Sequence, residues 1–105
     1  MVKNKTYKFQ AELWLYPSET AAWHFVSLPK RESAEIKNNF GHVARGWSSL
    51  PVEVTIGKSR WRTSIFADKK SAPYLSYLLP IKASIRRAQS LRLGDQVQVS
   101  LRLIP

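Results

Sequence analysis

Two long segments of alternating apolar and polar residues constrain the fold of this chain more than any other feature. Near the start, one side of the alternation holds Tyr7, Phe9, Ala11, Leu13 and Leu15, and the other holds Lys8, Gln10, Glu12 and Trp14. Near the end, Val97, Val99, Leu101 and Leu103 alternate with polar residues. Because successive side chains of a β-strand point to opposite faces, both segments are predicted to be strands with one buried face.

The residues after the first strand predict a short strand, a helix and a hairpin. Residues 22–28 read as the strand, and Pro29 is expected to begin the helix because its fixed φ suits the first helical turn. Gly41 stands where that helix is expected to end. Further on, residues 52–56 and 61–65 alternate on either side of a tight turn at residues 57–59, which predicts a hairpin.

The second half of the chain predicts the same order of elements. Residues 68–73 read as a polar loop and residues 74–79 as a brief strand, after which Pro80 is expected to begin a second helix. Gly94 and Asp95 then turn the chain into the last strand, since glycine permits a positive φ and aspartate caps such a turn.

An internal repeat connects the two halves. Leu28-Pro29 followed by Ser33 matches Leu79-Pro80 followed by Ser84, and each unit continues with a short helix, a glycine and a strand. The serines are interpreted as structural residues near helix starts. Neither half can cover its own apolar face, so we expect one domain over residues 1–105 with half-repeats of about 7–56 and 57–104 that pack into a mainly β, pseudo-two-fold barrel.

The charge of the chain narrows its partners to anions. Seventeen lysines and arginines against seven acidic residues give a net charge of +10, which attracts nucleic acid or other polyanions, anionic membranes or acidic proteins, or serves solubility alone. The sequence has no cysteine, no secretory signal pattern and no apolar run near the ~20 residues that cross a bilayer. We therefore expect a cytoplasmic protein, without membrane insertion, that acts as a monomer.

No recognisable catalytic or metal-binding motif is present. His24 and His42 have no second ligand at a metal-binding spacing, and no nucleophile elbow or phosphate-binding glycine loop occurs. We expect no enzymatic activity, no catalytic residues, no metal and no cofactor.

Five basic residues are the candidate phosphate or anion site: Arg60, Arg62, Lys82, Arg86 and Arg87. Alternation places Arg60 and Arg62 on one strand face, where arginines can bind phosphate bidentately, and Trp61 on the opposite face, in the core. The alternative is a solvated polar face without a ligand.

The tryptophans are candidates for a second kind of contact. Trp14, Trp23 and Trp47 offer an exposed aromatic for stacking bases, or serve packing alone.

Nearly the whole chain resembles a bacterial domain-of-unknown-function family. The likeness rests on three blocks and a dipeptide: Trp23-His24-Phe25-Val26-Ser27-Leu28-Pro29, Trp61-Arg62-Thr63-Ser64-Ile65-Phe66, Leu79-Pro80-Ile81-Lys82 and Gly94-Asp95. The resemblance implies a double-split β-barrel capped by two strand-helix-strand units with short helices, and it implies no established activity.

The second half is also similar to the DNA-binding domains of AbrB-like transition regulators and antitoxins. The similar positions are Leu79-Pro80, Lys82, Arg86, Arg87 and Gly94-Asp95. In those regulators two chains complete the barrel, whereas this chain holds both halves. The expected function is a non-catalytic binding module for nucleic acid, and the alternative is a protein-interaction or small-anion-binding domain with no nucleic-acid role.

Overall fold

The computed structural model describes residues 5–16, 22–44, 46–68 and 75–104, and the fold is given for these residues. The strands are β1 (Thr6–Tyr16), β2 (Trp23–Ser27), β3 (Ser49–Ile56), β4 (Ser59–Asp68), β5 (Ser76–Pro80) and β6 (Gln96–Leu103). The α-helices are α1 (Lys30–Phe40) and α2 (Ala83–Ala88), and single-turn 3-10 helices cover Gly41–Val43 and Gly46–Ser48. None of these helices has the length and apolar content needed to cross a bilayer.

The strands close into an antiparallel barrel in the order β1-β2-β5-β4-β3-β6. This confirms the prediction of a mainly β barrel with two short helices. The strand order is symmetric. If β1 is exchanged with β4, β2 with β5 and β3 with β6, every pair of neighbouring strands again becomes a pair of neighbours. The register follows the same exchange, because Tyr7 and Trp61 lie opposite Leu101 and Val54, which in turn lie opposite each other.

Each of the two long strands changes partner part of the way along its length. β1 pairs with β6 over residues 6–12 and with β2 over residues 13–16. β4 pairs with β3 over residues 59–66 and with β5 over residues 66–68. The wall of the barrel is therefore split beside the first part of β1 and beside the first part of β4. We call these places the first split and the second split.

The core lies inside the barrel and is built from the inward residues that alternation selects. Fully buried side chains include Leu13, Val26, Leu50, Val52, Val54, Ile65, Leu79, Val97 and Leu101. Ile36 and Phe40 of α1 and Ile85 of α2 join this cluster from the two helices. Burial of this apolar surface is the main force that stabilises the closed barrel.

The expectation that Leu15 lies on the buried face of β1 is wrong, because this residue is 42% exposed. Beyond Glu12, β1 has lost β6 and pairs only with β2, where Leu15 lies opposite His24. An extension of only two strands has no core packed against its inner face. The alternation therefore continues beyond the core, and Leu15 stays exposed.

Pro80 also departs from the prediction, since it ends β5 and α2 begins only at Ala83, with Lys82 as its N-cap. The Ile81 N–H donates to the His24 carbonyl at 2.9 Å. Residues that hydrogen-bond to the neighbouring strand alternate along an antiparallel ladder with residues that do not. Because Ile81 bonds to β2, the nitrogen of Pro80 faces away from β2 and toward the second split. A proline is tolerated there because no ladder hydrogen bond is lost.

The predicted turns are confirmed at two glycines. Gly57 has φ +58° in the two-residue connection between β3 and β4, and Gly94 has φ +91° in the turn before β6. Oδ2 of Asp95 accepts a hydrogen bond from the Arg92 N–H at 2.8 Å and caps that turn. Most of the predicted 68–73 loop, together with Tyr74, lies outside the described residues.

Gly41 caps the end of α1 as predicted, but its φ of −56° is right-handed. The chain continues from it into a 3-10 turn instead of reversing.

The two serines of the repeat differ in the structure. Ser33 is fully buried, and its hydroxyl donates to the Leu28 carbonyl and accepts from the Tyr77 N–H. It therefore joins the start of α1 to β5, and the prediction of a structural role is confirmed for it. Ser84 is exposed on α2.

Candidate functional site

A band of basic side chains crosses the outer face of four neighbouring strands. Across one row the register places Arg62, Glu53, Arg102 and Thr6 side by side, and across the next row it places Arg60, Thr55, Ser100 and Lys8. We call these eight residues the basic band. The band holds four cations and one carboxylate, that of Glu53, so it carries a net positive charge.

Glu53 organises the band through its arginine neighbours. Nε of Arg102 donates to Oε1 of Glu53 at 3.0 Å, and Nε of Arg62 lies 3.8 Å from Oε2. The hydrogen bond from Arg102 lowers the pKa of Glu53 below its ordinary value; partial desolvation opposes this shift, and the charges of the nearby arginines add to it. Glu53 therefore stays ionised and holds Arg102 in place. A depression of about 290 Å³ lies beside this group and is lined by residues that include Arg60, Ser100 and Arg102.

A second concavity, which we call the cleft, opens at the second split and measures about 280 Å³. Its lining residues are Ala22, Trp23, His24, Trp61, Arg62, Thr63, Pro80, Ile81, Lys82, Ala83 and Arg86. No carboxylate occurs among these described lining residues, whereas three of them are arginine or lysine. The cleft therefore combines positive charge with two tryptophans.

The hairpin between β3 and β4 explains how the backbone contributes to the cleft. In a two-residue hairpin the flanking residues, here Ile56 and Ser59, exchange backbone hydrogen bonds, and bonded positions alternate from there. Arg60 and Arg62 therefore direct their backbone N–H and C=O groups away from β3. Within the described part of the chain no strand pairs with this edge of β4 before Phe66. The cleft thus has an open strand edge along one side.

Arg86 is held in the cleft by two contacts. Its Nε donates to the Ile81 carbonyl at 3.1 Å, and its Nη1 lies 3.3 Å from Nε2 of His24. A guanidinium only donates, so Nε2 of His24 accepts and the ring proton is on Nδ1. Among the described residues, that buried Nδ1 has no hydrogen-bond partner. Arg86 is therefore a fixed cation and His24 orients it.

The structure places four of the five predicted site residues in two groups that Arg62 connects. Arg60 lies in the basic band, Lys82 and Arg86 line the cleft, and Arg62 belongs to both. Arg87 is exposed on α2 but lines neither concavity. Sequence reasoning missed Lys8 and Arg102, because their place in the band depends on the register of β6 with β1 and β3.

Aromatic side chains form a patch on the outer face of the β1–β2 extension. The register places Trp14 opposite Phe25 and Tyr16 opposite Trp23. These four residues are the aromatic patch. Trp23 is 53% exposed and Tyr16 39% exposed. Of the predicted stacking candidates, Trp23 is thus exposed and Trp14 half-buried, while the Trp47 side chain lies outside what the structure describes. Trp61 is half-buried against the core.

Metal ligands do not cluster in the part of the chain that the structure describes. No group of three or more histidine, aspartate or glutamate side chains is placed there to hold an ion.

A comparison with protein families gives one match that covers most of the chain. Residues 9–101 match the family model described as a domain of unknown function. No curated protein matches the sequence significantly. The chemistry of the cleft, the basic band and the aromatic patch is therefore the basis for the functional argument.

Proposed function

This chain belongs to the DUF1905 family, a domain of unknown function, and we propose that it is a monomeric, non-catalytic binding module for nucleic acid. The basic band and the cations of the cleft bind the phosphates. One observation carries the proposal: Lys8, Arg60, Arg62 and Arg102 lie on two adjacent rows of one sheet face, and Glu53 is the one carboxylate among the eight residues of these rows.

The arrangement suits a phosphate chain better than a single small anion. Side chains on neighbouring strands lie about 5 Å apart, so the band presents several donors in series instead of one converging pocket. Arginine binds phosphate through two parallel hydrogen bonds, and each neutralised phosphate releases a counterion. The net charge of +10 supplies the long-range attraction.

Arg62 remains available to a ligand although it lies near Glu53. Its Nε is 3.8 Å from the carboxylate, beyond hydrogen-bonding distance, and its side chain is 71% exposed. Exposed pairs of this kind contribute little to stability, so a phosphate can displace the contact at small cost. The same location at the rim of the cleft lets Arg62 connect both groups of cations.

A cytoplasmic location is part of this proposal. A sequence with no cysteine fits a reducing compartment, and nucleic acid is abundant there.

The open edge of β4 favours a second candidate, a peptide-binding domain. An extended acidic peptide could add to this edge as a strand through backbone hydrogen bonds, with Lys82 and Arg86 facing its carboxylates. In that case an acidic peptide would protect the amides of Arg60 and Arg62 from hydrogen exchange, and nucleic acid would bind weakly.

The test of nucleic-acid binding is fluorescence anisotropy with labelled duplex DNA, single-stranded DNA and RNA over a salt series, with heparin as competitor. The double substitution Arg60→Ala and Arg62→Ala should weaken binding about tenfold or more and reduce the salt slope by about two. A matched control removes two exposed cations of α1, Arg31→Ala and Lys37→Ala, at the same cost in net charge.

Equal losses in the two double variants would mean that only the net charge matters and would contradict a site in the basic band. Heparin that displaces every labelled nucleic acid as effectively as the same unlabelled nucleic acid does would contradict the proposed function.

A further inference from the structure

We infer that the aromatic patch takes unpaired bases, so that the ligand is single-stranded nucleic acid; this inference rests on the proposed function and names its ligand class. Trp14, Tyr16, Trp23 and Phe25 form the patch, and the cleft that adjoins it supplies the cations.

The rings of the patch form one continuous surface. The Trp23 and Phe25 rings are stacked, with centroids 6.3 Å apart and an interplanar angle of 10°. Trp14 lies 5.7 Å from Phe25 and 5.9 Å from Tyr16 by ring centroids. Nε1 of Trp14 donates to Oγ of Ser27 at 2.9 Å, which fixes the orientation of the indole. The face offered to a ligand is therefore preorganised.

Exposure distinguishes these rings from core aromatics. Trp23 and Tyr16 are among the most exposed large hydrophobic side chains of the described residues, at 53% and 39%. Aromatic faces left in water on a strand surface are a usual platform for bases, because every base has a π-face that can stack.

Trp23 connects the patch to the positive charge. It belongs to the aromatic patch and also lines the cleft together with Lys82 and Arg86. A strand whose phosphates lie against these cations would bring the adjoining base over the Trp23 ring. Single-stranded nucleic acid is a partner that carries phosphates and accessible base faces side by side.

Charge also argues against the other occupants of an apolar patch. A second copy of this chain would bring its own net charge of +10 to a surface bordered by cations. In duplex nucleic acid the base faces are stacked inside the helix and cannot reach the rings. Among nucleic acids, the patch therefore contributes to affinity only when the bases are unpaired.

The experiment compares the wild-type chain with Trp23→Ala on three labelled probes of equal length: a thymidine oligonucleotide, the same backbone without bases, and a duplex. Wild-type affinity should be about tenfold or more higher for the oligonucleotide than for the abasic backbone. Trp23→Ala should remove most of that difference and change abasic and duplex binding much less. Trp23→Phe should retain it, and Leu93→Ala, which removes an exposed apolar residue outside the patch, should have no effect.

Equal affinity of the wild-type chain for the oligonucleotide and the abasic backbone would overturn this inference while leaving the proposed function intact. Failure of all three probes to bind would overturn both. A wild-type dimer that Trp23→Ala converts to a monomer, measured by light scattering, would assign the patch to self-association and overturn the inference. Circular dichroism of each variant checks that it is folded.

Discussion

The two splits of the barrel have the same strand pairing but are closed differently. At the first split, Tyr7 and Phe9 are 3% and 7% exposed, and α1 reaches the start of β1 through the ion pair of Glu35 with Lys5. At the second split, the corresponding register positions hold Trp61 and Thr63, and both are only half-buried. The cleft opens at this second place.

The lengths of the two helices account for the difference in burial between the splits. α1 has 11 residues and buries three of them, Ser33, Ile36 and Phe40, whereas α2 has six and buries Ile85. A helix of six residues is shorter than two turns and presents a single apolar anchor. The strand framework can therefore stay symmetric while one end serves stability and the other leaves room for a ligand.

The largest expected effect comes from removing one isoleucine at each split. Ile36→Ala should lower the free energy of unfolding by about 4 kcal/mol, because the site is fully enclosed and cannot collapse. Ile85→Ala should cost about 2 kcal/mol, since α2 borders the cleft and can adjust. Urea denaturation measures both values. Equal costs would show that the second split is as tightly packed as the first.

A smaller contrast is expected between the two serines of the repeat. Ser33→Ala leaves the Tyr77 N–H without its acceptor in a buried place and should cost about 1–3 kcal/mol. Ser84→Ala should change the stability by less than about 0.5 kcal/mol, because Ser84 is exposed on a helix. Thermal unfolding followed by circular dichroism checks both. A large cost at Ser84 would mean that the two helix starts are equivalent after all.

The smallest effect is expected to distinguish Lys82, which precedes α2 and lines the cleft, from Arg87 of α2. Lys82→Ala removes a cation that lines the cleft and should reduce the salt slope of single-strand binding by about 0.7. Arg87→Ala removes the same charge from a position that lines neither concavity and should leave the slope unchanged. Anisotropy titrations at several salt concentrations measure the slopes. Identical slopes for the two variants would remove the cleft from the binding surface.

Alternation in the sequence is sufficient to predict the strands and most of the core, because a buried face needs an apolar residue at every second position. It fails at Leu15, where the pattern continues beyond the last strand that could cover it. The preference of proline for helix starts fails at Pro80, because only the partner change of β4 shows that the nitrogen of Pro80 faces no hydrogen-bonding strand. Both failures depend on where neighbouring strands end, which a single strand's sequence does not record.

The candidate site is predictable to the extent that it lies within one element. Arg60 and Arg62 share a strand face, and alternation alone places them together. Arg102 joins them only through the register of β3 with β6, and Phe25 meets Trp14 only through the register of β1 with β2. Contacts between strands distant in sequence require the barrel order, so the sequence contained these residues without indicating that they meet.

The open edge of β4 has a consequence for colloidal behaviour. An unpaired strand edge is a template on which a second chain can add and start an aggregate, and natural proteins protect such edges with charge. Arg60 and Arg62 stand on that edge, where their charges repel the same residues of a second copy. Screening shortens the reach of this repulsion from about 8 Å at physiological salt to about 3 Å at 1 M. High salt should therefore promote self-association of the chain under the same conditions that weaken the proposed binding of nucleic acid.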